Sequence, residues 1–377
     1  VHAPAAGTIA AIREAPTPTG RTATAIIIET DADAPAGEPP YKPIPDWREQ
    51  APRSLLDRVA EAGIVGMGGA GFPTHVKLSP PGDKPIDTLI LNGAECEPFL
   101  NSDNRLLIER AEQVWEGCQI IRRILGAGTI RVAIEDNKRE AAKALAAAME
   151  SAPDDAHIHL LKTLYPQGSE KQQIYSVTGR TVPMGGLPMD VGCVVENVAT
   201  AYAVWDAVVN GRPLTARAIT VTGDAVNTPT NWFAPVGTSF ADLVAASGGA
   251  RDNLAKLIAG GPMMGFALPS LEVAMSKTSS GLLLFPRECV RPYRSMACIN
   301  CGRCVEACPL GLMPNELSQA AEADDIDEAE NRHVMDCFEC GACAYVCPAR
   351  RPLVQHMRRA KAVITQRRRA AAQQKKT

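Results

Sequence analysis

Two cysteine runs in the last quarter of this 377-residue chain constrain its fold more tightly than any other feature. Cys298, Cys301, Cys304 and Cys308 are followed by Pro309, and Cys337, Cys340, Cys343 and Cys347 by Pro348. Both runs read C-x2-C-x2-C-x3-C-P. Three thiolates closed over one short turn, with a fourth displaced beyond it, suit the corners of an iron–sulfur cubane. The fourth cysteine of each run then reaches the other cluster. This spacing assigns Cys298, Cys301, Cys304 and Cys347 to one [4Fe–4S] cluster, and Cys337, Cys340, Cys343 and Cys308 to a second. Structural zinc is the competing reading, since four cysteines also suit Zn²⁺. Zinc knuckles pair two C-x-x-C units, however, and need neither a third cysteine in step nor a trailing Cys-Pro. Two one-electron carriers held this way form a wire, so the implied chemistry is electron transfer.

Twelve cysteines, eight of them in matched runs, argue for metal ligation in a reducing compartment rather than for disulfides. Cys118 and Cys193 fall in apolar patterns and read as core. Cys96 reads as buried and inert, with redox sensitivity as the alternative. Cys289 is a bystander, because the two runs already supply the thiolates.

At roughly 100–200 residues per domain, the length allows two to four domains. No stretch reaches the run of ~18 apolar residues that a membrane span needs, and there is no secretory signal pattern. The chain opens at Val1 in what reads as mid-domain, as a sequence without its natural start would. The net charge of −3 is unevenly spread: from Gly341 onward there are ten Lys or Arg and no Asp or Glu. The basic stretch 367–376 suits acidic lipid headgroups or an acidic partner, and equally a solvated helix end.

Periodicity predicts a strand over 22–30, a linker over 31–45 and a helix over 47–61. It predicts a strand over 86–91, one helix over 106–125, a strand over 130–134, a helix over 139–150 and a strand over 158–161. A helix is predicted over 194–209. Alternating strands and helices favour an α/β domain. A smaller strand-and-helix module follows through 218–222, 240–246 and 253–258, with 281–285 leading out of it. The 315–335 stretch between the cysteine runs is helix-like, so the cysteine domain is expected to be helical.

Gly66-Met67-Gly68-Gly69-Ala70-Gly71 satisfies G-x-G-x-x-G. The dinucleotide fingerprint needs a strand before that loop and a helix opening from it. Here residues 58–62 look helical and 72–74 extended, so the Rossmann reading fails, and no Gly-Lys-Ser/Thr supports a Walker A loop. Glycines that let a phosphate or flat ring approach the backbone remain one reading, and a plain turn the other. Residues 260–265 (GGPMMG) read either as a site lining or as a tight turn.

The loop is the first of an ordered set: 66–77 (GMGGAGFPTHVK), 92–98 (NGAECEP), 165–172 (YPQGSEKQ) and 196–200 (ENVAT). Together these resemble the FMN- and NADH-binding subunit of respiratory complex I and its hydrogenase relatives. With the twin cysteine runs behind them, the chain resembles the RnfC/RsxC family of electron transport complex subunits. The resemblance implies that Gly66, Gly68, Gly69 and Gly71 lie against the flavin, with Lys77 on its phosphate or electron-rich edge. Asn92, Glu95 and Glu97 would line the flavin and nicotinamide, with Glu97 nearest the nucleotide and Phe72 stacked on the dinucleotide. Tyr165, Gly168 and Glu170 would form the other wall, and Asn197 and Thr200, at a helix N-terminus, would hold the FMN phosphate. Ala94, Cys96, Ser169 and Glu196 depart from the complex I pattern.

The same resemblance implies a multidomain α/β protein. Its parts would be a partial lipoyl-like barrel-sandwich and linker (1–45), an FMN/NADH-binding domain (46–215), a soluble-ligand-binding β-grasp domain (216–275), a helical two-cluster ferredoxin domain (285–365) and a basic tail (366–377). The implied function is NADH oxidation through FMN, with single electrons passed over two [4Fe–4S] clusters. The implied partners are other subunits of a membrane-associated ion-translocating complex, with ferredoxin or flavodoxin as the distal one, at the cytoplasmic face of a bacterial inner membrane. No nucleic acid is implied, and no side chain is singled out as an acid or base. The alternative is a flavin-free iron–sulfur adaptor relaying electrons between proteins.

Overall fold

The computed structural model describes residues 1–31, 34, 37–150, 155–291 and 294–374. It divides into two compact units, Val1–Val182 with Pro188–Val290, and Pro183–Leu187 with Arg291–Thr377.

The first unit opens with an antiparallel hairpin, β1 (Gly7–Pro16) and β2 (Thr22–Thr30). The helix predicted over 47–61 is broken: Trp47–Glu49 forms one 3₁₀ turn, and α1 runs only over Pro52–Glu61. Pro52 opens the new helix and pushes Ala51 into extended backbone, which a continuous helix cannot tolerate. After α2 (Thr74–Lys77) come β3 (Thr88–Gly93), α3 (Ser102–Glu109) and α4 (Ala111–Leu125). The single helix predicted over 106–125 is thus two, divided at Arg110 (φ −138°). Then follow β4 (Thr129–Glu135), α5 (Arg139–Ala148), β5 (Ala156–Leu161), α6 (Glu170–Thr178), β6 (Cys193–Asn197) and α7 (Val198–Val209). The helix predicted from 194 therefore begins four residues late, after a strand. An unbroken apolar run buried on both faces carries neither a period of two nor one of 3.6.

These strands form an all-parallel sheet in the order β5-β4-β3-β6. Helices α4 and α7 pack closely because residue 117 is glycine, where a Cβ would lie 1.9 Å from the Ala201 carbonyl oxygen. Leu55, Leu89, Leu91, Ile121 and Val204 fill the core.

The remaining strands are β7 (Ala216–Thr222), β8 (Thr230–Pro235), β9 (Leu254–Ala259), β10 (Phe266–Leu268) and β11 (Gly281–Pro286), with α8 (Phe240–Ala246) between β8 and β9. Their sheet runs β10-β9-β11-β7-β8. The segment expected to lead out of this module is its central strand, parallel to β7 and antiparallel to β9.

The second unit is helical: α9 (Arg303–Glu306), α10 (Pro314–Glu322), α11 (Ile326–Asn331), α12 (Ala342–Tyr345) and α13 (Leu353–Gln374). Leu317, Ala321, Ile326, Met357 and Ile364 form its core. The two cysteine runs repeat one backbone path. Asn300, Gly302 and Gly311 take positive φ (53°, 76°, 66°), as do Glu339, Gly341 and Arg350 (62°, 81°, 49°). The basic stretch as far as Gln374 continues α13, and residues 375–377 lie outside the described ones. Arg367 and Arg368 pair with Asp327 and Glu330 of α11, both at 2.6 Å. Among the described residues no helix is long and apolar enough to cross a membrane.

Candidate functional site

In the parallel sheet the chain leaves β3 for β4 on one side and later crosses to set β6 on the other. Strands whose connections diverge in this way leave a crevice at their carboxyl ends. Asn92 and Asn197, register partners on β3 and β6, stand at that point. Asn197 caps α7: its Oδ1 accepts the Ala199 N–H at 2.8 Å, while its Nδ2 donates to Asp103 at 2.6 Å.

The glycine loop lies on this helix terminus. The Met67 N–H donates to the Thr200 hydroxyl at 3.0 Å, and a Cβ at Gly68 would lie 3.4 Å from that of Asn197. The Gly66 N–H closes the loop on the Phe72 carbonyl at 2.8 Å, leaving the Phe72 ring 52% exposed. Gly69 (φ +131°) faces open space where a side chain would stand. A capped helix start under a bare glycine backbone favours an anion and admits a flat ring. These residues fit an FMN.

Lys77 pairs with Glu170 on α6 and stands 4.0 Å from Glu196 Oε1 at the end of β6. Burial works against the Lys77 charge, but Glu196 and Glu170 raise its pKa nonetheless. Glu196 is 1% exposed, and burial, against the pull of Lys77, pushes it up to about 7. Asn92 ties two walls together: its Nδ2 donates to the Gly168 carbonyl at 2.9 Å, and its Oδ1 accepts from Ala94 N–H and Gln173 Nε2 at 3.1 and 2.6 Å.

Glu95 takes a left-handed backbone (φ 40°) and turns its carboxylate to the start of α3, accepting the Asp103 and Asn104 N–H groups at 2.9 and 3.1 Å. Burial, with Asp103 nearby, pushes it up to about 8. Both Glu97 oxygens accept backbone N–H groups, from Met263 at 3.1 Å and Met264 at 2.7 Å. Glu97 thus clamps the 260–265 turn. A Cβ at Gly261 would lie 2.2 Å from its Oε2.

Glu95, Glu97 and Tyr165 also line a cavity of about 450 Å³ with Glu135 and Lys138. Gly66, Gly68, Gly69, Gly71, Lys77, Asn197 and Thr200 belong instead to the crevice side. Several buried groups escaped the sequence reading. The Lys138 ammonium donates to the Ala94 and Glu95 carbonyls at 2.6 and 3.1 Å and to Glu135 at 2.7 Å. Arg217 on β7 is buried with Asp103 and Glu95 as charge neighbours, and burial lowers its pKa to about 10. Each is a lone charge in an apolar stretch, with no motif to flag it. Cys118 and Cys193 are buried, as their patterns predict, and Cys289 is exposed. Burial pushes the Cys96 thiol up to about 11.

In the second unit, Cys298, Cys301, Cys304 and Cys347 line one cavity. Cys343 has Cys337, Cys340 and Cys308 as neighbours, and burial together with those three pushes its thiol up to about 12. Three cysteines of each run therefore gather with the fourth of the other. Among the described residues no three His, Cys, Asp or Glu side chains converge on one ion-sized point. Crowded, half-buried thiols ionise together only around positive charge, and a cubane, whose ligands bind separate irons, fits such a ring.

An anion cradle in one unit and thiolate rings in the other are the parts of a modular electron-transfer protein. Family comparison gives the same modules: residues 59–206 match the Nuo51 FMN-binding domain, 218–267 the SLBB domain and 293–348 the 4Fe-4S dicluster domain. Three relatives are the RnfC/RsxC-type components of their complexes. To that of the proton-translocating ferredoxin:NAD(+) oxidoreductase complex of Clostridium ljungdahlii the chain is 45% identical, over 96% of its own length and 79% of the relative's. To that of the Na(+)-translocating ferredoxin:NAD(+) oxidoreductase complex of Acetobacterium woodii it is 40% identical, over 98% of its length and 83% of the relative's. To that of the ion-translocating oxidoreductase complex of Pseudomonas aeruginosa it is 45% identical, over 98% of its length and 47% of that longer protein. The chain belongs to this RnfC/RsxC family of ion-translocating oxidoreductase complex subunits. Among solved structures, the air-oxidised NAD+-reducing [NiFe]-hydrogenase superposes with TM-score 0.55 at 26% identity, covering 66% of this chain and 49% of that one. The H2-reduced form, at 20% identity and TM-score 0.57 over 85% of this chain and 65% of that one, shares the fold.

Proposed function

We propose that this chain is the electron-input subunit of a membrane-associated, ion-translocating complex, oxidising NADH through FMN and passing single electrons over two [4Fe–4S] clusters. The observation that carries this reading is the glycine loop seated on the capped start of α7 at the sheet's switch point, in the same chain as two crossed cysteine rings. Gly66, Gly68, Gly69 and Gly71 would hold the flavin, with Asn197, Thr200 and Lys77 on the phosphate side. Bound there, FMN supplies the exchange between a hydride pair and single electrons. The chain's own residues position and exclude. Asn92 fixes the two walls, Lys138 and Glu95 brace the 94–97 loop, and Glu97 and Tyr165 border the cavity suited to the dinucleotide.

Cys298, Cys301, Cys304 and Cys347 would ligate one cluster, and Cys337, Cys340, Cys343 and Cys308 the other. The β1–β2 hairpin suits part of a lipoyl-like barrel-sandwich, and the five-stranded sheet with α8 a β-grasp module. Domain limits follow at 1–45, 46–215, 216–275, 285–365 and 366–377, with β11 adding a strand to the β-grasp sheet. Other subunits of the complex are the near partners, ferredoxin or flavodoxin the distal one, and the membrane's cytoplasmic face the place. The test is anaerobic reconstitution with FMN followed by NADH. Bleaching of the flavin absorbance is expected. Unbleached flavin beside intact clusters would instead make the chain an iron–sulfur adaptor.

A further inference from the structure

We propose that Glu196 is a proton-accepting carboxyl beneath the cofactor crevice, taking up one proton when FMN binds because the phosphate draws away the single cation it shares with Glu170. The inference rests on the FMN reading above and adds a linkage between cofactor affinity and pH.

Three elements meet at this point, the end of β6 with Glu196, α2 with Lys77 and α6 with Glu170. Two carboxylates therefore share one ammonium. They share it unequally: Glu170 is in direct contact with Lys77 and its side chain is 44% exposed, so water and the ammonium both keep it ionised. Glu196 is 1% exposed, lies 4.0 Å from the ammonium, and its Oε1 has no hydrogen-bond partner. The other titratable neighbour is the Cys118 thiol on α4, which burial pushes up to about 12 and so leaves neutral. An ionised carboxylate oxygen with neither water nor a donor is the most costly charge in the cluster. It persists only because Lys77 stands nearby.

An anion arriving at the crevice competes for that ammonium. Loss of a cation 4.0 Å away raises the proton affinity of a buried carboxylate roughly a thousandfold at the dielectric of a protein interior's edge. The proton comes from solvent and joins a Glu196 oxygen. No electron moves, and Lys77 keeps its charge while it turns to the phosphate. Burial has already placed Glu196 at about 7 with Lys77 in position, so the free protein is ionised above that pH and needs one proton to bind. Below it the carboxyl is already neutral. FMN binding should therefore weaken about tenfold per pH unit above neutrality, and be level below it.

The experiment is calorimetric titration of FMN into the full anaerobic chain with clusters intact, in two buffers of different ionisation enthalpy. Wild type is expected to take up about one proton at about pH 8 and close to none at about pH 6. Glu196→Gln should show neither the uptake nor the slope of Kd with pH, and it also subtracts the ionisation of the FMN phosphate itself. Lys77→Met should lose the uptake for the opposite reason, its Glu196 being protonated beforehand, with a neutral carboxyl band in the infrared that Glu196→Gln lacks. Equal uptake in wild type and Glu196→Gln, or uptake retained in Lys77→Met, overturns the inference and leaves the FMN reading standing. Wild type that binds no FMN overturns both.

Discussion

Replacing Cys347 with alanine should remove one iron–sulfur cluster, and the one lost should be that of the other run. Cys347 lines the same cavity as Cys298, Cys301 and Cys304, although 43 residues of chain separate it from Cys304. Cys308 gathers in turn with Cys337, Cys340 and Cys343. Two cubanes carry about eight irons, so either single loss leaves about four. Double substitutions decide the pairing. Cys301→Ala with Cys347→Ala removes two ligands of one site, and the count should stay near four. Cys340→Ala with Cys347→Ala removes one ligand from each site, and the count should fall toward zero. Iron and acid-labile sulfide per chain, measured without exposure to oxygen, give the answer. The reverse order, with Cys301/Cys347 emptied and Cys340/Cys347 half full, would refute the crossing.

Arg217→Met should destabilise the first unit by about 3–5 kcal/mol, because it leaves the buried Asp103 and Glu95 without their shared cation. Adding Asp103→Asn should recover part of that loss. Denaturant unfolding checks both, and an Arg217→Met protein as stable as wild type would remove the charge network from the account. Stability should also decline as pH rises. Glu95 at about 8 and Glu196 at about 7 lie above ordinary carboxyl values, so the folded chain holds protons that the unfolded chain has released. Their contribution is complete below about pH 4 and lost as pH climbs through 7 and 8. The thermal midpoint should follow, and Glu196→Gln should flatten the curve. Gly69→Trp should abolish flavin retention while leaving cluster absorbance unchanged, since a side chain there enters open space without displacing the core. Retained flavin would displace the loop from the site.

The cysteine runs were the most legible part of the chain, because ligand spacing is a local property. The glycine loop was legible in what it is not: α1 precedes it and α2 follows, as neither nucleotide fingerprint allows. Where reading failed, long-range structure decided. Residues 193–197 form a strand because they pair with β3, and nothing in an unbroken apolar run records that partner. Glu97 matches a nucleotide-facing position by resemblance, yet its carboxylate holds backbone 166 and 167 residues away. Lys138 and Arg217 carry no motif, and only folding brings their charges to Glu135, Glu95 and Asp103. Pro52 is the exception, a local signal sufficient to divide a helix and passed over in favour of periodicity.

The most direct test is elemental: iron, acid-labile sulfide, zinc and flavin determined on one preparation kept free of oxygen. About eight irons with matching sulfide and about one FMN per chain are expected. Zinc in the thiolate rings, or an absence of labile sulfide, would contradict electron transfer by this chain.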